Sequence, residues 1–370
     1  MSVYLDYAAT TPLSDAVQKS IIDHLTVFGN PSSLHRLGVE SERKLKDVKK
    51  QIASVLNVRE NELIFTSGGT ESNNMAILGM NVPRTNAKYI TTQTEHPSVL
   101  NAFKHLEKLG QTVVYLSVND QGLIDLKDLE EALTPDTVLV SVMFINNETG
   151  TIQPISEIGQ IIQTYNKQNR AQIKFHVDAV QAFGKLNINV ETLQVDLMSI
   201  SAHKIGGLKG TGALVKRQTT TLRPLVFGGQ QEFGIRPGTE NLMGIISFGA
   251  AVVQTFPEIE EKWQHVSALK TNMIDVLKTM DEVFVNCETP SFSPYILNVS
   301  FIGVKAEVLL HALESKGIYV ATGSACSSKK KNFSHVLQAL GYEEQRMAGT
   351  IRLSFSSSLS EARSEEHTSE

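Results

Sequence analysis

The chain has 370 residues, 41% of them hydrophobic and 20% charged, with a net charge of −5 and an isoelectric point near 6.1. That is ample core-forming material for two domains, or for a large domain with a smaller companion. The acidic balance excludes a general nucleic-acid or membrane-surface binder, which needs a basic excess or a basic face.

The opening MSVYLDYAATTPLS lacks a basic segment followed by an apolar run, so no secretory signal is read there. No run approaches the roughly 20 apolar residues of a membrane helix, and a cytoplasmic location is expected. From about residue 40 to 250, apolar β-rich runs alternate with amphipathic helical stretches. The predicted strands are ELIFT (62–66), KYITT (88–92), TVVYLSV (112–118), TVLVSVMFI (137–145), IKFHVDAV (173–180), VDLMSISA (195–202) and GALVK (212–216). Between them, ISEIGQIIQTYNKQ sets Ile155, Ile158, Ile161, Ile162 and Tyr165 at helical spacing. This alternation predicts an α/β layer fold around a largely parallel sheet.

A long helical stretch follows from about 242 to 280, with Pro257 marking a break or a new start. The pattern then shifts to YILNVSF (295–301), AEVLLHALESKG (306–317), IYVAT (318–322), SHVLQALG (334–341) and TIRLSF (350–355), a smaller α+β domain. The expected division is a large domain over 16–255, and a small one built from 1–15 and 256–362. The last eight residues, RSEEHTSE (363–370), are polar, aperiodic and match one reading frame of a common sequencing adapter, so a non-native tail is expected there.

In open α/β sheets, ligands gather beyond the carboxyl ends of the strands, so the polar residues at those ends carry the argument. SGGTES (67–72) follows the first long strand and opens a helix. Glycines at such a turn let backbone N–H groups face an anion, while Ser and Thr add hydroxyl donors. The same stretch also reads as an ordinary capped turn, with Thr70 and Asn73 as imperfect capping partners. It lacks the Lys-Ser/Thr ending of a P-loop. Further along lie His96 in TEHPS, Asn146 and Asn147 in NNETG, Asp178 and Gln181 in FHVDAVQAFGK, and Ser201, His203 and Lys204 in SAHKIGG.

Taken singly, each has a structural explanation. A phosphate turn, a strand-borne Asp and a strand-end Lys taken together suit pyridoxal 5′-phosphate. That cofactor needs a lysine for its Schiff base, an acid beside its pyridine nitrogen and a phosphate cradle. Opposite charges about 4 Å apart at an effective dielectric near 20 gain roughly 4 kcal/mol, enough to hold the ring nitrogen protonated. Lys209 competes with Lys204 on spacing alone.

The motifs YLDYAATTP, FGNPSSLHRLG, FTSGGTESNN, TEHPSV, NNETGTIQPI, HVDAVQAFGK, SAHKIGGLKGTGAL, RPGTEN, GSACSS and IRLSF run in one order from about residue 2 to 360. In that order the chain resembles the cysteine desulfurases of the NifS/IscS branch, class-V-aminotransferase-like enzymes of the pyridoxal-phosphate fold type I. The resemblance implies Lys204 as the Schiff-base lysine, His96 as the residue stacked on the pyridine face, and Asp178 at the ring nitrogen. Gln181 is implied at the phenolic oxygen and Gly69, Thr70, Ser201 and His203 at the phosphate, joined by Thr239 from the partner subunit of a homodimer. Asn147, Arg352 and Asn30 are implied to hold the substrate, L-cysteine.

Cys326 lies in ATGSACSSKKKN, a polar stretch of small residues rather than an apolar setting. The resemblance implies that its thiolate takes the substrate sulfur as a persulfide and hands it to an acceptor protein, an iron–sulfur scaffold or a tRNA-thiolating enzyme. Lys329 to Lys331 would lower the thiol pKa and attract an acidic acceptor, or form a plain solvated face. Cys287 reads as structural. Pro237, where many relatives have serine, removes no group that the chemistry needs. Rival readings are a selenocysteine lyase, a cysteine sulfinate desulfinase or a simple aminotransferase of the same fold, and, from another class, a non-catalytic scaffold. No metal, nucleic acid or membrane is expected as a direct partner.

Overall fold

The computed structural model describes residues 2–81, 87–286, 288, 291–322 and 333–360. Cys287, Cys326, the lysines at 329–331 and the tail at 363–370 lie outside them.

In chain order, the first half holds β1 (Val3–Tyr4), α1 (Asp15–His24), α2 (Arg36–Leu56), β2 (Leu63–Thr66), α3 (Gly69–Gly79), β3 (Lys88–Thr92), α4 (Pro97–Lys108), β4 (Thr112–Leu116), α5 (Leu126–Ala132) and β5 (Thr137–Met143). Next come α6 (Ile155–Asn169), β6 (Lys174–Asp178), β7 (Leu197–Ser201), β8 (Gly212–Lys216), α7 (Leu242–Thr255) and α8 (Ile259–Leu277). The C-terminal part holds β9 (Val283–Asn286), β10 (Ile296–Phe301), α9 (Ala306–Ser315), β11 (Ile318–Tyr319), β12 (Ala321–Thr322), α10 (His335–Ala339), α11 (Glu344–Ala348) and β13 (Thr350–Ser354).

β2 to β8 form a seven-stranded sheet in the order β2-β8-β7-β6-β5-β3-β4, parallel except for β8, which runs against both neighbours. Its central strands are covered on both faces. This explains why β7 reads LMSIS with every residue buried rather than as a polar alternation. Successive side chains go to opposite layers: Leu63 and Phe65 join the core around Val142, Phe175 and Phe248, while Ile64 joins Met75, Tyr89 and Phe103 on the other face.

α2 buries Leu45, Val48, Ile52 and Leu56 on one stripe and ends at Asn57 in the left-handed region (φ 53°). Contrary to the sequence expectation, the stretch Leu242–Leu277 is long and apolar enough to cross a membrane by length and composition. It is broken by a short 3₁₀ turn at Phe256–Glu258, which holds Pro257. α7 is a core helix: Ile245, Phe248 and Val252 are buried in the main core.

A second core gathers Val3 and Leu5 with Val266, Leu269, Leu297, Val299, Ile351 and Leu353. It packs on the sheet β12-β13-β10-β9 and on the pair β1-β11. The predicted strand IYVAT is therefore two strands: Ile318–Tyr319 pairs with β1, and Ala321–Thr322 pairs with β13.

Candidate active site

The carboxyl ends of β2, β3, β5, β6 and β7 open on one cavity of about 390 Å³. Gly69, Thr70, His96, Asn147, Asp178, Gln181, Ser201, His203, Lys204 and Arg352 all line it. Residues far apart in sequence meet there because each parallel strand delivers its C-terminal end to the same edge.

α3 begins at this wall. Gly68, its N-cap, has φ +149° and no side chain to cap the helix, so the first backbone N–H groups are left for another acceptor. A Cβ on Gly69 would meet Val180 Cγ2 at 2.6 Å, and only glycine fits that approach without a shift. The Ser201 hydroxyl beside it is buried and has no hydrogen-bond partner among the described residues. Glu71 pairs instead with Arg236 at 2.9 Å, and its carboxylate accepts from Ser67 N–H. The arrangement offers backbone N–H groups and a hydroxyl to an anion. It is not the capped turn of the alternative reading, because Asn73 turns inward and donates to Asp178 at 2.7 Å and to Ser98 Oγ at 2.9 Å.

Asp178 ends β6, buried at 4% exposure, and also accepts from Val180 N–H at 3.0 Å. Burial raises its carboxyl pKa, against the hydrogen bond from Val180 and the nearby His96. A cationic partner in the cavity would reverse that shift.

His96 caps α4. Its Nδ1 lies 3.1 Å from Ser98 N–H, a pure donor, and so acts as an acceptor. Ser98 Oγ, 2.8 Å from the same nitrogen, takes the donor role there, since it already accepts from Asn73. The neutral ring therefore carries its proton on Nε2. Burial lowers its pKa and favours that neutral form.

Lys204 stands in a single 3₁₀ turn after β7, half-buried, with Nζ donating to the carbonyls of Ala8 and of Ala9 (2.8 Å). Burial first, then Arg352, pulls its pKa from 10.5 to about 8. Burial, with Lys204 and Lys209 nearby, takes His203 to about 4, so it is neutral at physiological pH. Lys209, the competing lysine, is exposed and off the cavity wall.

Gln181 Nε2 donates to the Ala8 carbonyl at 2.9 Å. Arg352, on β13, pairs with Asp6 at 2.7 Å and donates to the Asn147 carbonyl at 2.8 Å, while its buried Nε has no partner among the described residues. Asn146 is buried and holds its turn through Thr94 O (2.9 Å) and the N–H groups of Glu148 and Thr149, which leaves Asn147 to the cavity.

Two predicted residues are not brought together with these. Asn30 and Thr239 are exposed and do not line the cavity. Cys326 lies outside the described residues, but its described flanks reach the cavity wall. Ala321 pairs with Arg352 across β12 and β13, and Ser334 Oγ hydrogen-bonds the carboxylate of Glu148, next to Asn147. Sequence reasoning missed Asp6, Asn73 and Ser98. Their signal is weak because each works through a neighbour, Asp6 through Arg352, Asn73 through Asp178 and Ser98 through His96, although Asn73 and Ser98 also line the cavity.

The donor set fits pyridoxal phosphate: an anion cradle with an orphaned hydroxyl, a buried carboxylate, a ring nitrogen donor and an amine of lowered pKa share one cavity. Comparison with known proteins points the same way. The aminotransferase class-V family matches residues 3–362. A relative from Bacillus subtilis, "Putative cysteine desulfurase IscS 1", is 42% identical over 358 residues, 95% of this chain and 93% of its own. A solved "NIFS-LIKE PROTEIN" superposes with a TM-score of 0.92 at 34% identity, covering 100% of this chain and 98% of that one. "SspA in complex with cysteine" gives a TM-score of 0.84 at 33% identity over 96% of this chain and 99% of that one.

Proposed function

We propose that this chain, which belongs to the aminotransferase class-V family, is a pyridoxal-phosphate-dependent cysteine desulfurase. It converts L-cysteine to L-alanine and leaves the sulfur as a persulfide on Cys326. The observation that carries the reading is the single cavity lined by Lys204, Asp178, His96, Gln181, the α3 cradle and Arg352. The cysteine bound to the SspA structure supports L-cysteine as the substrate.

Bound pyridoxal phosphate supplies an electron sink for the substrate Cα. Gly69, Thr70, Ser201 and His203 would hold its phosphate, joined by Thr239 from the partner subunit. Asp178 would hold the ring nitrogen, Gln181 the phenolic oxygen and His96 the ring face. The chain's own groups do the rest. Arg352, oriented by Asp6, takes the substrate carboxylate in a planar fork, with Asn147 and Asn30 beside it. Lys204, neutral for part of the time near pH 7, takes the Cα proton. The Cys326 thiolate attacks the substrate sulfur, the carbon–sulfur bond breaks toward carbon, and a proton returned there gives alanine. Free cysteine plus thiol thus becomes alanine plus persulfide, with no outside oxidant.

The chain divides into a small domain, 1–15 with 256–362, whose sequence includes Cys326, and a large domain, 16–255. The molecule acts as a cytoplasmic homodimer, and its persulfide goes to an iron–sulfur scaffold or a tRNA-thiolating enzyme.

The test compares wild type with Cys326→Ala for sulfide and alanine release from L-cysteine in the presence of a thiol reductant. The variant is expected to lose both products by about a hundredfold or more while staying yellow. Full activity in the variant would remove Cys326 from the mechanism and favour a selenocysteine-lyase-like enzyme.

A further inference from the structure

Lys185 lies four residues beyond Gln181, and the proposed reaction has no use for it. Its side chain is buried at 9% exposure. Burial, with Lys204 and Arg352 as the nearby cations, brings its pKa down to about 7. A buried ammonium with cationic neighbours is costly, and among the described residues no carboxylate pairs with it. It sits 5.4 Å from the ring centre of Tyr295, in a second cavity of about 260 Å³ that adjoins the first through Lys204.

Its one side-chain hydrogen bond among the described residues explains the placement. Lys185 Nζ donates to Gln181 Oε1 at 2.9 Å. As an ammonium the lysine nitrogen is a donor only, so the carbonyl end of the amide faces it. The Nε2 donors are thereby turned to the Ala8 carbonyl on the cofactor cavity wall, 2.9 Å away. Ala8 O selects the same orientation in either form, and Lys185 while protonated adds a cation behind the amide, which polarises its N–H groups and strengthens them as donors.

We infer that Lys185 is a positioning residue for the cofactor: it locks the Gln181 amide with a polarised donor toward the phenolic oxygen. The inference rests on the pyridoxal-phosphate reading above. A stronger donor withdraws charge from that oxygen and weakens its hold on the proton it shares with the nitrogen of Lys204. Removing Lys185 therefore raises the pH at which that proton leaves. The other titratable or charged groups facing this region are His96, Asp178, His203, Lys204 and Arg352 around the first cavity, with Tyr7, Lys262 and Tyr295 around the second.

The experiment titrates the visible absorbance band of the yellow holoenzyme against pH in wild type, Lys185→Met and Lys185→Arg, with circular dichroism as the folding control. Equilibrium dialysis of pyridoxal phosphate on stripped protein gives its affinity. The Met variant should shift the midpoint upward by about one unit and weaken cofactor binding by roughly tenfold. The Arg variant should stay within about a third of a unit of wild type, since it keeps both donor and charge. If the Met variant does not fold, Lys185→Gln, which keeps a donor and loses the charge, is read in its place. A folded Met or Gln variant with the wild-type midpoint overturns the inference and leaves the cofactor reading intact. A wild type that develops no band with pyridoxal phosphate overturns both.

Discussion

At the scale of single residues, the site couples burial to charge, and Lys204 shows the consequence most directly. An exposed lysine amine is almost wholly protonated at neutral pH and is a poor nucleophile. Burial and the guanidinium of Arg352 both disfavour the ammonium, so Lys204 has a neutral fraction that rises through a pKa of about 8. The rate at which stripped protein turns yellow with pyridoxal phosphate should therefore climb with pH and level off above about pH 8. Arg352→Leu removes one of the two causes and should move that inflection upward. Stopped-flow absorbance between pH 6.5 and 9.5 checks both; a rate still rising about tenfold per unit beyond pH 9 would contradict the assignment. The place of Lys204 on the cavity wall was legible through the family motif and the adjacent SAH, since spacing alone left Lys209 as a competitor. Asp6, Asn73 and Lys185 were not legible. Asp6 and Asn73 reach Arg352 and Asp178 across long sequence separations that no local pattern records, and Lys185, only four residues from Gln181, meets it in an irregular turn rather than a periodic element.

At the scale of elements, the strands of the large sheet were readable almost to the residue. KYITT and GALVK match β3 and β8, while the longer predicted runs overshoot by a few residues where the chain leaves the ladder. Apolar content does not end where the strand ends: Phe144 and Ile145 continue the run of β5 as buried residues, Phe144 N–H donating to Asp178 O and Ile145 bridging Ile152. IYVAT failed as one strand because its halves pair in different sheets, a tertiary choice that no periodicity encodes. β6 also carries a polar side chain whose role the pattern could not show. His176 is wholly buried between Ser141 of β5 (2.8 Å) and Ser199 of β7 (3.0 Å), and burial lowers its pKa to about 3. The unfolded chain takes up a proton near pH 6.5, while the folded chain resists until about 3, so the stability contributed here is full above pH 6.5 and falls as pH drops toward 3. His176→Gln, neutral at every pH, should lose about 1–2 kcal/mol at pH 7 from poorer hydrogen bonds and show a flatter acid branch. Urea midpoints at pH 7, 6, 5 and 4 measure both. An acid slope as steep as that of wild type would show that the loss arises from other groups.

At the scale of the whole molecule, two cores meet at the cavity through specific hydrogen bonds. Arg352 of the small sheet reaches Asn147 O at 2.8 Å, and Asn298 of β10 donates to Glu148 O at 3.1 Å. The surface that remains exposes several large apolar side chains. Leu34 is 97% exposed, Phe227 86% and Phe28 78%, and Phe233 is more than half exposed. Both chain segments that carry these residues are tied to α2. Residues 28 and 34 lead into it, and Phe233 covers Lys49 of α2 at 4.9 Å. The second segment is held at some cost: Glu232 and Phe233 have φ of 45° and 62°, and Glu232 is buried against Lys49 at 2.7 Å. Strain and a buried ion pair spent on presenting exposed phenylalanines make sense where a second copy covers them. The same two segments run on to Asn30 and Thr239, the two predicted site residues that this chain leaves outside its own cavity. Dimerisation would therefore complete the site rather than merely bury surface. Phe227→Glu should convert the dimer to a monomer in sedimentation velocity and weaken pyridoxal-phosphate binding by roughly tenfold, with the circular dichroism unchanged. A wild type that sediments as one copy at micromolar concentration and still binds the cofactor fully would show that Thr239 and Asn30 have no part in it, and that the cavity of a single chain suffices.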